Sequence, residues 1–212
     1  MLEEYDIDKL NPRQNPYAKD LKEQRSVVRI ISERSRQRND TVKEHQGFNT
    51  IMIRQATEKD TSRIAEILVF SKRMNYRRIF ENDAYSFGDL QVSSVAHTYL
   101  KDKNMLFNTW VYTEILTEKY SGETIEIVKG LVEVADGEIR TLYVDSFFTG
   151  AGIGGELIEY AKMELGGTYL WTLERNVDAI RFYQKHGFKL TGERQAEPGT
   201  EEYLVKLEVR CE

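Results

Sequence analysis

Residues 138–155 read EIRTLYVDSFFTGAGIGG, and this stretch decides the fold. Its apolar and β-branched beginning predicts a strand over 138–144, and an amphipathic helix over 152–165 follows the glycines. Glycine lets the backbone adopt positive φ and approach a ligand closely, and the N–H groups at a helix N-terminus bind phosphate. The stretch therefore predicts either a plain glycine turn or a phosphate loop that uses the N–H groups of Gly150, Gly152 and Gly154.

Two other phosphate-binding motifs fit this stretch less well. A Walker A loop needs Gly-Lys-Ser/Thr, but Glu156 follows Gly155 here. The spacing of Gly150, Gly152 and Gly155 does match the dinucleotide fingerprint, and Glu174 follows at a suitable distance. The motif comes late in the chain, however, after strands that are predicted to be antiparallel. Little sequence remains for a second nucleotide-binding half.

The sequence on either side of this stretch predicts one mixed α/β (α+β) domain over 49–212. Its central sheet is expected to be mostly antiparallel and flanked by helices. Asp136 and Gly137 form a strong tight-turn dipeptide between two of its strands. The predicted strands are 51–54, one opening at Trp110, 124–134, 138–144, 169–173 and 203–209. The predicted helices are 57–74, 90–101, 152–165 and 177–186, with a loop over 75–89 and a turn over 120–123.

Residues 1–48 differ from this domain because they are rich in charge and carry few apolar side chains. A charged helix with a narrow apolar stripe is predicted over 17–38. We expect this extension to dock on the main domain or on a second copy of the chain in a homodimer.

Composition excludes several classes of protein. The formal net charge is −5, from 30 basic and 35 acidic residues, which argues against a general nucleic-acid binder. No apolar run approaches the ~20 residues of a membrane span, and no secretory signal is legible. Cys211 is the single cysteine, which fits a cytoplasmic protein. His45 and His97 lack metal-ligand spacing, so no metal is expected.

Two blocks of the sequence together resemble the GNAT superfamily of N-acetyltransferases. Residues 142–154 resemble the coenzyme A loop of that family, and residues 176–188, NVDAIRFYQKHGF, resemble its second block. The resemblance spans about 51–207 and implies a V-shaped opening between the central strands. One position departs from the family pattern, because Thr149 stands where the family has Arg or Gln. We therefore expect weaker cofactor binding through backbone donors.

The resemblance implies that acetyl-CoA is the cosubstrate and that its pantetheine arm pairs with the backbone of strand 138–144, next to a bulge after Val144. Asn176 would contact this arm, although it is equally suited to cap the following helix. The cofactor-binding residues implied are Leu142, Tyr143, Val144, Thr149, Gly150, Ala151, Gly152, Ile153, Gly154, Gly155, Asn176 and Tyr183.

The same resemblance makes Tyr183 the general acid that protonates the leaving thiolate, whereas its neighbour Phe182 is expected in the core. Glu138 is the first candidate for general base, on a strand face expected to include 140, 142 and 144. Glu133 and a water chain are the alternatives. His186 is expected to serve the helix C-terminus and not the chemistry.

The implied activity is transfer of an acetyl group from acetyl-CoA to a primary amine, by direct attack in a ternary complex. The acceptor is a small molecule or a protein amino group, bound by segments 75–89 and 110–135. The alternative is a non-catalytic coenzyme A-binding regulatory module that acts with a protein partner.

Overall fold

A computed structural model of the chain describes residues 27–28, 50–80, 90–117 and 122–209. Its eight strands form one sheet in the order β1-β2-β3-β4-β5-β6-β8-β7. The strands are β1 (Val27–Val28), β2 (Thr50–Gln55), β3 (Thr109–Thr117), β4 (Thr124–Ala135), β5 (Glu138–Val144), β6 (Tyr169–Leu173), β7 (Phe188–Ala196) and β8 (Tyr203–Val209). The helices are α1 (Thr61–Phe80), α2 (Val92–Lys101), α3 (Lys103–Phe107), α4 (Ile153–Met163) and α5 (Val177–Lys185).

Helices cover both faces of this sheet, and each face has its own buried cluster of apolar side chains. One cluster joins Val132 of β4 to Leu157 of α4 and Leu170 of β6. The other joins Leu131, the next residue of β4, to Ile64 of α1 and Tyr99 of α2. Successive strand residues point to opposite faces, so β4 contributes to both clusters.

The predicted meander of β3, β4 and β5 is confirmed, and so is the mixed, mostly antiparallel sheet flanked by helices. Asp136 and Gly137 turn the chain between β4 and β5 with φ of 53° and 80°. A two-residue hairpin of this type requires positive φ at both positions, which Asp-Gly tolerates well. The turn therefore fixes the register that places Ala135 opposite Glu138 and Val134 opposite Ile139.

The sheet splits between β5 and β6. These parallel strands pair only at Glu138 and Tyr169, whereas β6 and β8 pair along the full length of β6. Beyond Glu138 the outer edge of β5 has no strand beside it in the described sheet. The predicted V-shaped opening between central strands is thereby confirmed.

The bulge lies at the other end of β5 from the position that was expected. Glu133 pairs with Thr141 and Val134 pairs with Ile139, so Arg140 is an extra residue in β5. An extra residue shifts the alternation of side chains by one position.

This shift makes the predicted common face of residues 138, 140, 142 and 144 wrong. Ile139, Leu142 and Val144 all contact the cluster beneath α4. Tyr143 contacts the cluster beneath α1, and Glu133 lies opposite Thr141. The side chain of Glu138 therefore does not share a face with that of Leu142.

Four further differences concern element boundaries. Helix α1 runs to Phe80, six residues past its predicted end, because Ile79 is buried. The short helix α3 and the edge strand β7 were not predicted. Val27–Val28 form a strand beside β2, which contradicts the predicted helix at these two residues. Several predictions concern residues that the structure does not describe. These are the rest of 1–48, residues 81–89 of the predicted loop, residues 120–121 of the predicted turn, and Cys211.

None of the described helices combines the length and apolar character needed to cross a membrane.

Candidate active site

A cleft of about 590 Å³ opens where β5 and β6 separate. The edge of β5 forms one wall, and α1 and α5 form the others. Its lining residues include Ser71, Asn75, Tyr76, Ile79, Arg140, Thr141, Leu142, Tyr143, Val144, Thr149, Gly154, Trp171, Arg175, Asn176, Phe182 and Tyr183. Seven of the predicted site residues thus line one cleft: Leu142, Tyr143, Val144, Thr149, Gly154, Asn176 and Tyr183.

The glycine loop at the end of the cleft has the backbone that the sequence predicts. Gly150 and Gly152 have φ of 81° and 88° and lie in open space, where an added Cβ would meet no atom within 4 Å. A residue with a Cβ loses about 1–2 kcal/mol in this left-handed conformation. Helix α4 begins directly after Gly152, so the N–H groups of its first turn face out of the helix end. Glycine is therefore required here by the backbone and not by crowding.

Gly154 and Gly155 serve packing instead. A Cβ on Gly154 would lie 3.4 Å from the ring of Phe182, and one on Gly155 would lie 3.3 Å from the ring of His186. These two glycines let α5 approach the first turn of α4. The buried Ile153 between Gly152 and Gly154 anchors that turn in the core, while Ala151 is exposed.

Thr149 offers this loop little beyond its backbone. Its hydroxyl donates a hydrogen bond to the carbonyl of Ser146 at 3.0 Å, within a 3₁₀ turn over Ser146–Phe148. The side chain is exposed and short. The loop therefore presents backbone N–H donors without the long polar side chain of the family pattern.

The open edge of β5 is held by contacts from both sides. The amide of Asp145 donates to the carbonyl of Lys129 in β4, so the carbonyl of Val144 points the other way. There it accepts a hydrogen bond from the hydroxyl of Ser71 in α1, at 3.3 Å. The hydroxyl of Tyr143 lies 2.7 Å from the hydroxyl of Tyr76, also in α1. Helix α1 thus fixes the strand edge that forms the cleft wall.

Helix α5 supplies the opposite wall. Asn176 caps it, because its side-chain oxygen accepts a hydrogen bond from the amide of Ala179 at 3.3 Å. His186 ends the helix as expected, with Nδ1 3.0 Å from Glu159 Oε1. The capping interpretation of Asn176 is therefore correct, although Asn176 also lines the cleft.

Tyr183 lies half-buried between this wall and the core. Its ring centroid is 5.2 Å from that of Phe182 and 6.0 Å from that of Phe188. Burial raises the pKa of the Tyr183 phenol, and the nearby phenol of Tyr76 raises it further. Phe182 packs on the same core and also lines the cleft, so both aromatic residues face it.

The two candidate bases have different surroundings. Glu133 is 3% exposed, and burial raises the pKa of its carboxyl, against the opposing effects of Arg140 and Thr141. The Thr141 hydroxyl donates a 3.4 Å hydrogen bond to it, and Thr141 lines the cleft. Glu138 lies at the narrow end, where β5 meets β6, with its carboxylate 3.6 Å from Arg140 Nε.

Sequence reasoning missed Tyr76, Ser71 and Thr141 as cleft residues. Tyr76 fell in a predicted loop, because the charged, aromatic composition of 75–89 obscured the helical periodicity. Thr141 was hidden by the bulge at Arg140, which reverses the face expected from strict alternation. No group of three or more His, Cys, Asp or Glu side chains within the described ranges is arranged to bind a metal.

Sequence comparisons agree with the geometry of this cleft. A family model described as acetyltransferase (GNAT) domain matches residues 108–190, which span β3 to the start of β7. Peptidyl-lysine N-acetyltransferase YjaB of Salmonella typhimurium is 32% identical over 68 residues, or 32% of this chain. The match covers 47% of that relative, so the chain spans about half the length of the curated protein it matches.

Solved structures share the fold at low identity. Apo YjaB from Escherichia coli superposes with a TM-score of 0.55 at 21% identity, covering 74% of this chain and 96% of that one. An N-acetyltransferase from Staphylococcus aureus Mu50 gives 0.53 at 16% identity, covering 74% and 100%. The PaiA N-acetyltransferase from Thermoplasma acidophilum, solved with coenzyme A, gives 0.50 at 16%, covering 74% and 97%. The split sheet, the glycine loop and these matches show that the described domain has the fold of GNAT N-acetyltransferases, and residues 108–190 match the model of that family.

Proposed function

We propose that this protein transfers an acetyl group from acetyl-CoA to the nitrogen of a primary amine. The observation that carries the proposal is the edge of β5 beyond Glu138, which has no strand beside it in the described sheet and lines one cleft with Thr149, Gly154 and Tyr183. The relatives support it, since one is named for peptidyl-lysine acetylation and another was solved with coenzyme A. The lysine acceptor and the bound coenzyme A belong to those relatives, and the proposal extends them to this chain.

The residues present fit the cofactor. The first-turn N–H groups of α4 and the positive-φ loop before it suit a pyrophosphate. The backbone of Leu142 and Val144 would pair with the pantetheine amides at the strand edge. From Val144 to Thr141 this edge covers about 10 Å at ~3.3 Å per residue, which leads from the loop toward Glu133. When bound, the thioester supplies the activated acetyl group.

Glu133 is the better candidate for the base that takes the proton of the amine. A carboxylate whose pKa is raised by burial binds a proton more readily near neutral pH. Thr141 connects it to the cleft. Glu138 is instead half-exposed and near Arg140, which suits a strand-end carboxylate.

Tyr183 is the candidate for the acid that protonates the leaving thiolate. A phenol is protonated at neutral pH, which is the state a proton donor needs, and burial raises the pKa of Tyr183 further. Direct attack in a ternary complex requires no acyl-enzyme. The one thiol of the sequence, Cys211, lies one residue from the end of the printed chain. We also propose that the protein is cytoplasmic and that its reaction uses no metal.

The test is amine-dependent release of free thiol from acetyl-CoA by the purified full chain, with calorimetry of coenzyme A binding beside it. Binding together with amine-dependent release supports the enzyme. Tight binding without release from a broad panel of amines would instead favour the coenzyme A-binding module.

A further inference from the structure

A lysine on α1 lies beside the cleft, and neither the fold nor the proposed chemistry assigns it a role. Lys72 lies on α1. The cleft is lined by three later residues of that helix, Asn75, Tyr76 and Ile79, which follow Lys72 by three, four and seven positions respectively. Residues at these spacings share one face of an α-helix. The stem of Lys72 therefore belongs to the stripe of α1 that faces the cleft, next to its lining residues.

Among the residues that the structure describes, Lys72 has no close counter-ion. Within the described part of the chain its ammonium forms no ion pair within 4.0 Å and no hydrogen bond. The side chain is largely withdrawn from water, and burial lowers the pKa of its ammonium. Glu197, at the end of β7, and Glu133 act on it only at longer range. A partly buried cation that lacks a paired anion is costly, and it is a reason to look for a ligand.

The other charges at this end do not cancel it. Arg140 lines the cleft from the bulge in β5, and its contacts to Asp136 and Glu138 are long, at 3.4 and 3.6 Å. Arg175 on the far wall is already bound by Glu202 at 2.8 Å. Lys72 is thus the cation beside the cleft whose ammonium has no ion pair among the described residues.

We propose that the acceptor is an amine that also carries a carboxylate, as a free amino acid does, and that Lys72 binds this carboxylate. The inference rests on the proposed acetyl transfer, because it names the acceptor of the same cleft. The carboxylate would pair with Lys72 on α1 while the amine lies toward Thr141 and Glu133 on the strands. Attack of the amine nitrogen on the thioester carbonyl forms the C–N bond and breaks the C–S bond. Glu133 takes the amine proton, and the thiolate receives one from Tyr183.

The test compares acceptors that differ only in this group. Thiol release from acetyl-CoA is measured with L-amino acids, with their carboxamides and with butane-1,4-diamine. A charge-assisted contact predicts a kcat/KM about 10- to 100-fold higher for the acid than for the amide. Lys72→Met should reduce this ratio to about 3 or less, mainly through KM. Lys59→Met, which changes an exposed lysine before α1, should keep the ratio of the parent.

A binding measurement separates this inference from the proposed activity. N-acetylated amino acids and their carboxamides are titrated into the coenzyme A-loaded full chain by calorimetry. A preference for the acid that Lys72→Met abolishes supports the carboxylate site even when no amine is turned over. Equal binding and equal turnover of acid, amide and diamine would overturn the inference and leave the acetyl transfer intact. Faster turnover of the diamine or of a peptidyl lysine would also overturn it.

Discussion

Tyr183 is protonated at neutral pH, as an ordinary phenol is, and burial raises its pKa further. Tyr183→Phe removes the hydroxyl and keeps the ring contacts to Phe182 and Phe188. We expect turnover to fall by about 10²- to 10⁴-fold, nearer the lower limit because a thiol is a fair leaving group. Coenzyme A affinity and melting temperature should stay close to those of the parent. A pH–rate profile checks the role, since a parent rate that falls at high pH should lose this fall in the variant. Parent-like turnover would leave Tyr183 as a packing residue.

Glu133 gives a prediction that couples activity to stability. Its pKa in the folded state is raised above the ordinary 4.5, so the folded state binds the proton more tightly than the unfolded chain does. The contribution of Glu133 to the stability of the protein should therefore fall as the pH rises from about 4.5 through the raised pKa. Glu133→Gln should remove this part of the pH dependence while reducing turnover by about 10²- to 10⁴-fold.

Thermal melts from pH 4 to 8 and initial rates check both parts of the Glu133 prediction. Glu138→Gln distinguishes the two candidate bases, because this half-exposed carboxylate should matter little to either measurement. A Glu138 variant that loses activity while the Glu133 variant retains it would reverse the assignment.

At the residue scale, the sequence predicted which side chains reach the cleft better than it predicted their order of importance. Tyr183, Asn176 and Leu142 lie where the two blocks of sequence indicated. Glu133 ranked second because strict alternation placed Glu138 on the face of Leu142. One extra residue, Arg140, reverses that face, and no feature of its side chain signals a bulge.

Among the elements, the phosphate loop offers the sharpest test. Gly152→Asp adds a side chain and a negative charge at a residue with φ of 88°, directly before the first turn of α4. The proposal expects coenzyme A binding to be lost, as measured by calorimetry. Gly166→Asp is the matched control, because it also has positive φ (70°) and open space but follows the other end of α4. Unchanged affinity in the Gly152 variant would remove the phosphate-loop assignment.

The elements that the sequence predicted are those with a strong local pattern. The Asp136–Gly137 turn and the alternation along β4 predicted a hairpin, and the apolar stripe of α4 predicted its helix. Strand β7 was missed because it is an edge strand, exposed beyond Phe188, and therefore lacks an alternating pattern. Helix α3 has only five residues, although Asp102 signals its start by accepting a hydrogen bond from the amide of Met105 at 2.9 Å.

For the whole molecule, the amino-terminal segment should be dispensable. Of residues 1–48, the structure describes only Val27–Val28, which pair with Thr50 and Ile51 at the edge of β2. Deleting 1–48 should leave a protein that melts cooperatively and binds coenzyme A within about threefold of the parent affinity, a difference below 1 kcal/mol. Circular dichroism melts and calorimetry check this expectation. A product that is insoluble or unfolded would show that the segment belongs to the core of the domain.

Transfer of a ¹³C-labelled acetyl group tests the central claim most directly. The full chain is incubated with labelled acetyl-CoA and a panel of amines, and both products and protein are analysed by mass spectrometry. We predict label on the nitrogen of an amine, in amounts equal to the free thiol released, and a protein mass that stays unchanged during turnover. Bound coenzyme A with no labelled amine, or a labelled protein that passes its acetyl group on, would contradict direct transfer in this cleft.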